Sequence, residues 1–267
     1  MRKTLLLSAI AAGVLGIVAV AYAANTYTVD IAKVTPANSG SLKAPKAERI
    51  QFGYSVGETS GNRPSVTTDY VVGFGPGLRQ NGSLKNGTKL VFKQCKLSQA
   101  SANACPSNTK VGSGIVKNLA GLASDPTQKI PCQLNLTIYN GDGKLFPPGQ
   151  NDGKRVKENV WLGLKGGPPA CPLSVNAPLP AQWTRYNGGL ALAFHVPKTP
   201  FQQPQPGLEN SVVNVTSSIF KAARVKGHTR GFFESTACPK GGRPIKVRYT
   251  DKTGAVNTAT KKAACTK

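Results

Sequence analysis

The chain has 267 residues and carries 34 lysines and arginines against 11 aspartates and glutamates, a net charge of +23. It also has 29 glycines, 20 prolines, six cysteines and two histidines. That glycine and proline content excludes a fold built on long helices. Recurring clusters of Val, Ile, Leu, Phe and Tyr exclude disorder throughout.

Residues 1–23 read as a signal peptide. Arg2 and Lys3 supply the positive start, Thr4 to Val20 the apolar run, and Ala21-Tyr22-Ala23 the small-x-small pattern that predicts cleavage before Ala24. The alternative is an uncut anchor, since the run is close to the shortest span and the next basic residue is Lys33. No cysteine stands at the cleavage point, which disfavours a lipid-anchored form. Cleavage leaves 244 residues with 32 basic against 11 acidic side chains, a charge of +21.

Residues 24–46 read as a flexible lead-in of small residues with Pro36, Pro45, Lys33, Lys43 and Lys46. From Glu48 the pattern takes a period of two. Ile50, Phe52, Tyr54 and Val56 alternate with Gln51, Gly53 and Ser55, as in a half-buried strand. Further strands are predicted at Thr68–Phe74, Lys89–Lys93, Val111–Val116, Leu134–Tyr139, Val160–Leu164, Leu190–Val196, Val212–Ile219, Gly231–Glu234, Ile245–Tyr249 and Ala255–Thr258. Asn-Gly and Asp-Gly pairs at 81–82, 86–87, 140–141, 142–143, 152–153 and 187–188 mark the turns between them. Pro168–Pro180 and Pro197–Pro206 read as long loops. About eleven strands over residues 47–267 predict an all-β, antiparallel two-sheet sandwich, Ig-like or jelly-roll-like. A split near residue 170 into two small sandwiches is the alternative.

All six cysteines, Cys95, Cys105, Cys132, Cys171, Cys238 and Cys265, follow the signal. In an exported chain an even number reads as three disulfides. Ala-Cys-Pro occurs at Cys105, Cys171 and Cys238, which suggests three similar staples and hence sequential pairing. There is no Cys-x-x-Cys, and neither His195 nor His228 stands at ligand spacing from a cysteine, so no metal or cofactor is expected.

Gly73-Phe74-Gly75-Pro76-Gly77 leads to Cys95, Cys105-Pro106-Ser107-Asn108-Thr109-Lys110-Val111-Gly112-Ser113-Gly114 follows, and Cys238-Pro239-Lys240-Gly241-Gly242 precedes a strand and the last cysteine. In these elements the mature chain resembles a group of secreted, Cys-containing β proteins of actinobacteria. The resemblance implies export and a β fold, and it implies no activity.

Gly53-Tyr54-Ser55-Val56-Gly57 matches the nucleophile elbow of α/β hydrolases, with His195 and Asp125 as nominal partners. The elbow needs a helix after it, whereas Glu58 to Pro64 cannot form a long one, so Ser55 reads as an outward strand residue. His195 reads as a strand-end residue bonded to a loop, and His228 as a surface residue among Arg224, Lys226 and Arg230. No pair of acids stands out for glycoside cleavage. Asn140-Gly141-Asp142-Gly143-Lys144 reads as a hairpin turn, because a calcium loop would need further oxygens where none stand. Sequons begin at Asn81, Asn86, Asn135 and Asn214 and matter only in a glycosylating host.

Charge is the strongest functional signal. Tyr70 to Ser124 holds seven basic residues and no acid, and Lys221 to Lys267 holds twelve against Glu234 and Asp251. The period of two turns Lys246 and Arg248 outward and Ile245, Val247 and Tyr249 inward. Lys89 and Lys93 are expected to share one strand face. If the two stretches pack together, Lys89, Lys93, Lys246 and Arg248 belong to one cationic surface. The expected function is non-enzymatic binding, outside the cell or at its envelope, to an anionic envelope polymer or membrane surface. Nucleic acid is disfavoured by the absence of any motif for it. A secreted hydrolase of polysaccharide or ester substrates and a purely structural surface module are the alternatives.

Overall fold

A computed structural model describes residues 24–143 and 159–266. The signal peptide and the turn pair at 152–153 lie outside the described residues. Eleven strands make the principal sheet. In chain order they are β1 Asn25–Thr35, β2 Arg49–Glu58, β3 Thr67–Gly73, β4 Lys110–Leu122, β5 Ile130–Asn140, β6 Val160–Gly166, β7 Val175–Tyr186, β8 Gly189–His195, β9 Leu208–Ile219, β10 Arg243–Asp251 and β11 Val256–Ala263. Across the sheet they run β1-β2-β9-β4-β5-β6-β7-β8-β3-β10-β11, each neighbour antiparallel to the next. A small sheet of Lys46–Ala47, Phe233–Ser235 and Leu78–Gln80 and the hairpin Ala222–Val225/His228–Gly231 sit beside it. The α-helix Leu97–Ser101 is one turn long.

The sheet is curled into a nearly closed, barrel-like form. Its first and last strands meet: Lys261 Nζ on β11 donates to the Asp30 carbonyl on β1 at 2.6 Å, and the Tyr249 hydroxyl on β10 donates to the Thr28 carbonyl at 3.3 Å. On the other side β7 turns a corner. Residues 175–181 pair with β6 and residues 182–186 pair with β8. The inward faces bury Ile50, Phe52, Tyr54 and Val56 of β2 and Ile245, Val247 and Tyr249 of β10. Tyr54, Tyr70 and Tyr249 meet across the interior at centroid distances of 5.6–5.8 Å, each pair tilted or edge-on as ring quadrupoles favour.

Three disulfides join Cys95 to Cys105, Cys132 to Cys171 and Cys238 to Cys265, in sequential order. Trp161 is fully buried against the first of them with Ala100. Among the described residues no helix is long and apolar enough to cross a membrane.

Several expectations need correction. Residues 25–35, read as lead-in, are strand β1. A bulge between Val29 and Ile31 shifts the inward set from Tyr27 and Val29 to Ala32 and Val34, and this breaks the period of two on which the reading relied. Residue 170 is no boundary, since β6 and β7 pair from Val160↔Ala181 to Gly166↔Val175 on either side of it. Half of the stretch Pro168–Pro180 is therefore strand. Lys89 and Lys93 do not share a strand. The strand there is only Lys89–Leu90, paired with Lys85–Asn86, and Phe92 turns into the core against Phe232.

Candidate functional site

The four glutamates among the described residues, Glu48, Glu58, Glu209 and Glu234, are all buried, none more than 8% exposed. Each is held by cations or backbone amides. Glu234 accepts from Arg79 Nε (2.8 Å) and Nη2 (2.5 Å), from Arg230 Nε (2.7 Å) and Nη2 (3.2 Å), and from the Gly231 N–H. Burial pushes its pKa up, but bonds from Arg230, Asn81 and Arg79 outweigh that and hold the carboxyl below the usual range. Glu48 faces Arg243 at 3.2 Å, both buried, and burial raises the carboxyl against the pull of that guanidinium. Arg243 also donates to the carbonyls of Pro76 and Ala237 and to the Ser235 hydroxyl. Glu209 pairs with Lys252 at 2.6 Å and lies 4.0 Å from the buried Arg63. Glu58 caps the turn after β2 by accepting from the N–H groups of Ser60 and Asn62.

Three of these acids, Glu48, Glu209 and Glu234, thus offset cations. The exterior keeps the rest of the basic excess: Lys33, Lys43, Lys46, Arg49, Lys85, Lys89, Lys93, Lys96, Lys110, Lys117, Arg248 and Lys262 are all exposed. The two acid-poor stretches also meet. β3 pairs with β10, and Leu78–Gln80 pairs with Phe233–Ser235. On β10 the alternation holds as expected, with Arg248 exposed and Lys246 half-buried because its ammonium lies 5.6 Å over the Tyr186 ring. Lys89 and Lys93 are exposed on the hairpin and the loop after it.

The nominal triad is not assembled. Ser55 donates to Asp30 and accepts from Asn214 Nδ2 at 2.9 Å. Asp125 accepts from Thr127 within its own turn. His195 Nδ1 lies 2.9 Å from Asp69 Oδ1, its direct cross-strand partner on β3. His228 is exposed at a hairpin tip. Asn140 is buried and donates to the carbonyls of Gly82, Phe92 and Lys93, while the turn reading from Lys144 onward lies outside the described residues. Among the described residues no three of His, Cys, Asp or Glu gather as a metal-binding group.

The structure adds a feature that the sequence reading missed. Inside the curled sheet lies a cavity of about 70 Å³. Its walls come from alternate residues of β5 and β6, Leu134 with Leu136 and Leu162 with Leu164, together with Val215 and Phe201. Among the described residues, Thr67, Tyr70, Asn118 and Asn210 are its only hydrogen-bonding side chains besides Tyr54, and none that lines it is charged. Val66 also lines an open groove outside, with Thr68, His195, Lys198, Gln202 and Lys252. The alternation of leucines was legible; that the two faces stand apart rather than touch was not.

Compared with known proteins, the chain matches no family model, no curated protein and no solved structure.

Proposed function

We propose that this is an exported, non-enzymatic binding protein that attaches to anionic polymers of the cell envelope through its basic exterior. The observation that carries the reading is the disposition of charge. All four described glutamates are buried and held by cations or turn amides, while lysines and arginines crowd the surface without that compensation. A surplus arranged this way attracts polyanions over about a Debye length, roughly 8 Å at physiological salt. The finer fold reading belongs to the same proposal. With β7 as the corner, strands β1, β2, β9, β4, β5 and β6 act as one layer of a sandwich and strands β8, β3, β10 and β11 as the other. Lys246 and Arg248 then stand on the outer side of the second layer.

The test is retention of the mature chain on purified anionic envelope polymer across a salt series. Retention falls as salt rises, and the double substitution Lys246→Glu/Arg248→Glu lowers affinity at least about tenfold, at roughly 1 kcal/mol per charge near an anionic surface. Salt-independent retention, or full retention by a folded double variant, rejects the proposal.

A further inference from the structure

We propose that the open groove at one end of the sheet holds a single carboxylated sugar ring, which makes the polymer that this protein attaches to a polyuronate. This site rests on the attachment to anionic envelope polymers proposed above and names the unit recognised. The groove stands where β3 begins and where β8 and β10 end, and Lys198, Gln202 and Gln203 of the loop after β8 also line it. Three backbone bonds hold these parts together. The Val196 N–H donates to the Thr68 carbonyl at 2.7 Å, the Lys252 N–H to the Val66 carbonyl at 2.9 Å and the Gln203 N–H to the Lys198 carbonyl at 2.7 Å. The site is thus built before a ligand arrives, and little ordering has to accompany binding.

Charge gives the first part of the ligand class. Among the described residues, Lys198 and Lys252 bring two ammonium groups to the lining and Glu209 brings one carboxylate. Glu209 is taken by Lys252 at 2.6 Å. Lys198 is exposed and has no acidic partner among the described residues. Behind the lining, Arg63 lies 4.0 Å from Glu209 and Asp69 lies 2.9 Å from His195, so these two cancel. The surplus is one positive charge. A monocarboxylate balances it, a dianion such as a phosphate monoester overshoots it beside Glu209, and a cation is repelled.

The neutral side chains give the second part. Gln202 Nε2 donates to the Val196 carbonyl, which leaves its Oε1 to accept. Thr68 Oγ1 gives its proton to Asp69 at 2.8 Å and keeps a lone pair. The Gln203 carboxamide offers both a donor and an acceptor. Acceptors and donors set beside a cation match neighbouring hydroxyls on a ring that also bears a carboxylate. A simple fatty or amino acid leaves these groups unused. No Trp, Tyr or Phe lines the groove among the described residues, so a nucleobase finds no face to stack on. A peptide finds no edge to extend, because β3 lies between β8 and β10, β8 between β7 and β3, and β9 between β2 and β4.

Size agrees. The groove measures about 320 Å³. At roughly 30 Å³ per water that is the space of about ten waters, which suits one hexuronate ring and is too small for two. Since the groove is open, a chain can pass with one ring seated and its neighbours outside.

The experiment titrates the mature protein with glucuronate, glucose, acetate and glucose 6-phosphate at physiological salt and reads side-chain amide and backbone shifts by NMR. Glucuronate is expected to saturate and to move the Gln202 and Gln203 amides, with each of the others at least about threefold weaker. Lys198→Gln, on an exposed side chain, weakens glucuronate about three- to fivefold and leaves glucose unchanged, a split that general unfolding would not give. Gln203→Ala weakens glucuronate and glucose alike and leaves acetate unchanged. The site is overturned if glucuronate does not saturate, if any of the other three binds as tightly, or if Lys198→Gln leaves its affinity unchanged. Retention on immobilised polyuronate separates this site from the wider reading. Loss of retention in Lys246→Glu/Arg248→Glu while glucuronate fails to bind removes the groove and leaves the basic exterior standing. Saturable glucuronate binding with salt-independent retention removes the exterior and keeps the groove.

Discussion

Replacing Glu234 with glutamine keeps the volume of a fully buried side chain and removes its charge. In the native protein both carboxylate oxygens are engaged, Oε2 by Arg79 and Oε1 by Arg230 and the Gly231 N–H. Glutamine retains one acceptor oxygen. Its Nε2 turns two N–H donors toward the other guanidinium, so one charged pair is lost and a donor faces a donor. A hydrogen bond to a charged group contributes about 1.5–3 kcal/mol. The two arginine side chains are 40% and 27% exposed and recover part of that by rehydration. The expected cost is about 2–3 kcal/mol at pH 7, or roughly 5–10 °C in Tm for a chain of this size. The effect also depends on pH. The folded carboxyl titrates below the usual glutamate range, so its contribution is full above the unfolded pKa of about 4.3 and is lost as the pH falls through the lower folded value. Urea unfolding of both proteins from pH 7 down to pH 3 should show the gap narrowing at the acid end. A gap under about 0.5 kcal/mol at neutral pH, or one that does not narrow in acid, would refute this account of the site.

Two further outcomes test the fold. Gly114→Ala places a Cβ 2.1 Å from the Thr216 carbonyl oxygen of the neighbouring strand, so β4 and β9 must part. The expected loss is above 2 kcal/mol by denaturant midpoint, whereas Gly188→Ala, at a φ of +73° with nothing within 4 Å, costs only about 1 kcal/mol of backbone strain. Removing the Cys132–Cys171 bridge, which spans 39 residues, should cost about 1 kcal/mol more than removing Cys95–Cys105, which spans 10, if loop entropy governs both. Equal losses from the two double Cys→Ala variants would point to native packing instead.

Where a strand keeps one register and one buried face, its residues announce it. Ile50 to Val56 and Ile245 to Tyr249 alternate without interruption, and both lie in the sheet as expected. β1 was hidden because a bulge resets its alternation midway. β7 was hidden by Pro178 and Pro180, which mark a loop in most settings. They lie in the half of β7 that pairs with β6 alone, and being two apart they present the same edge, so a missing N–H there breaks no ladder. The outward aim of Arg248 followed from periodicity. The roles of Glu48, Glu209 and Glu234 could not be read that way, because their cationic partners lie between 4 and 195 residues away. Tyr70, Thr67 and Asn210 carry no local signal either. Their shared property is a space between strands, which exists only once the sheet has curled.

The meeting of β1 with β11 bears on what this protein can become at high concentration. An open sheet ends in two rows of unpaired amides and carbonyls, each a template for another chain. Here each end strand has the other alongside, and the contact is made by Lys261, whose ammonium occupies the Asp30 carbonyl at 2.6 Å. An incoming strand would have to displace that cation and leave a charge behind in the new interface. The seam therefore guards against edge-to-edge polymerisation in the same place where it holds the curl shut.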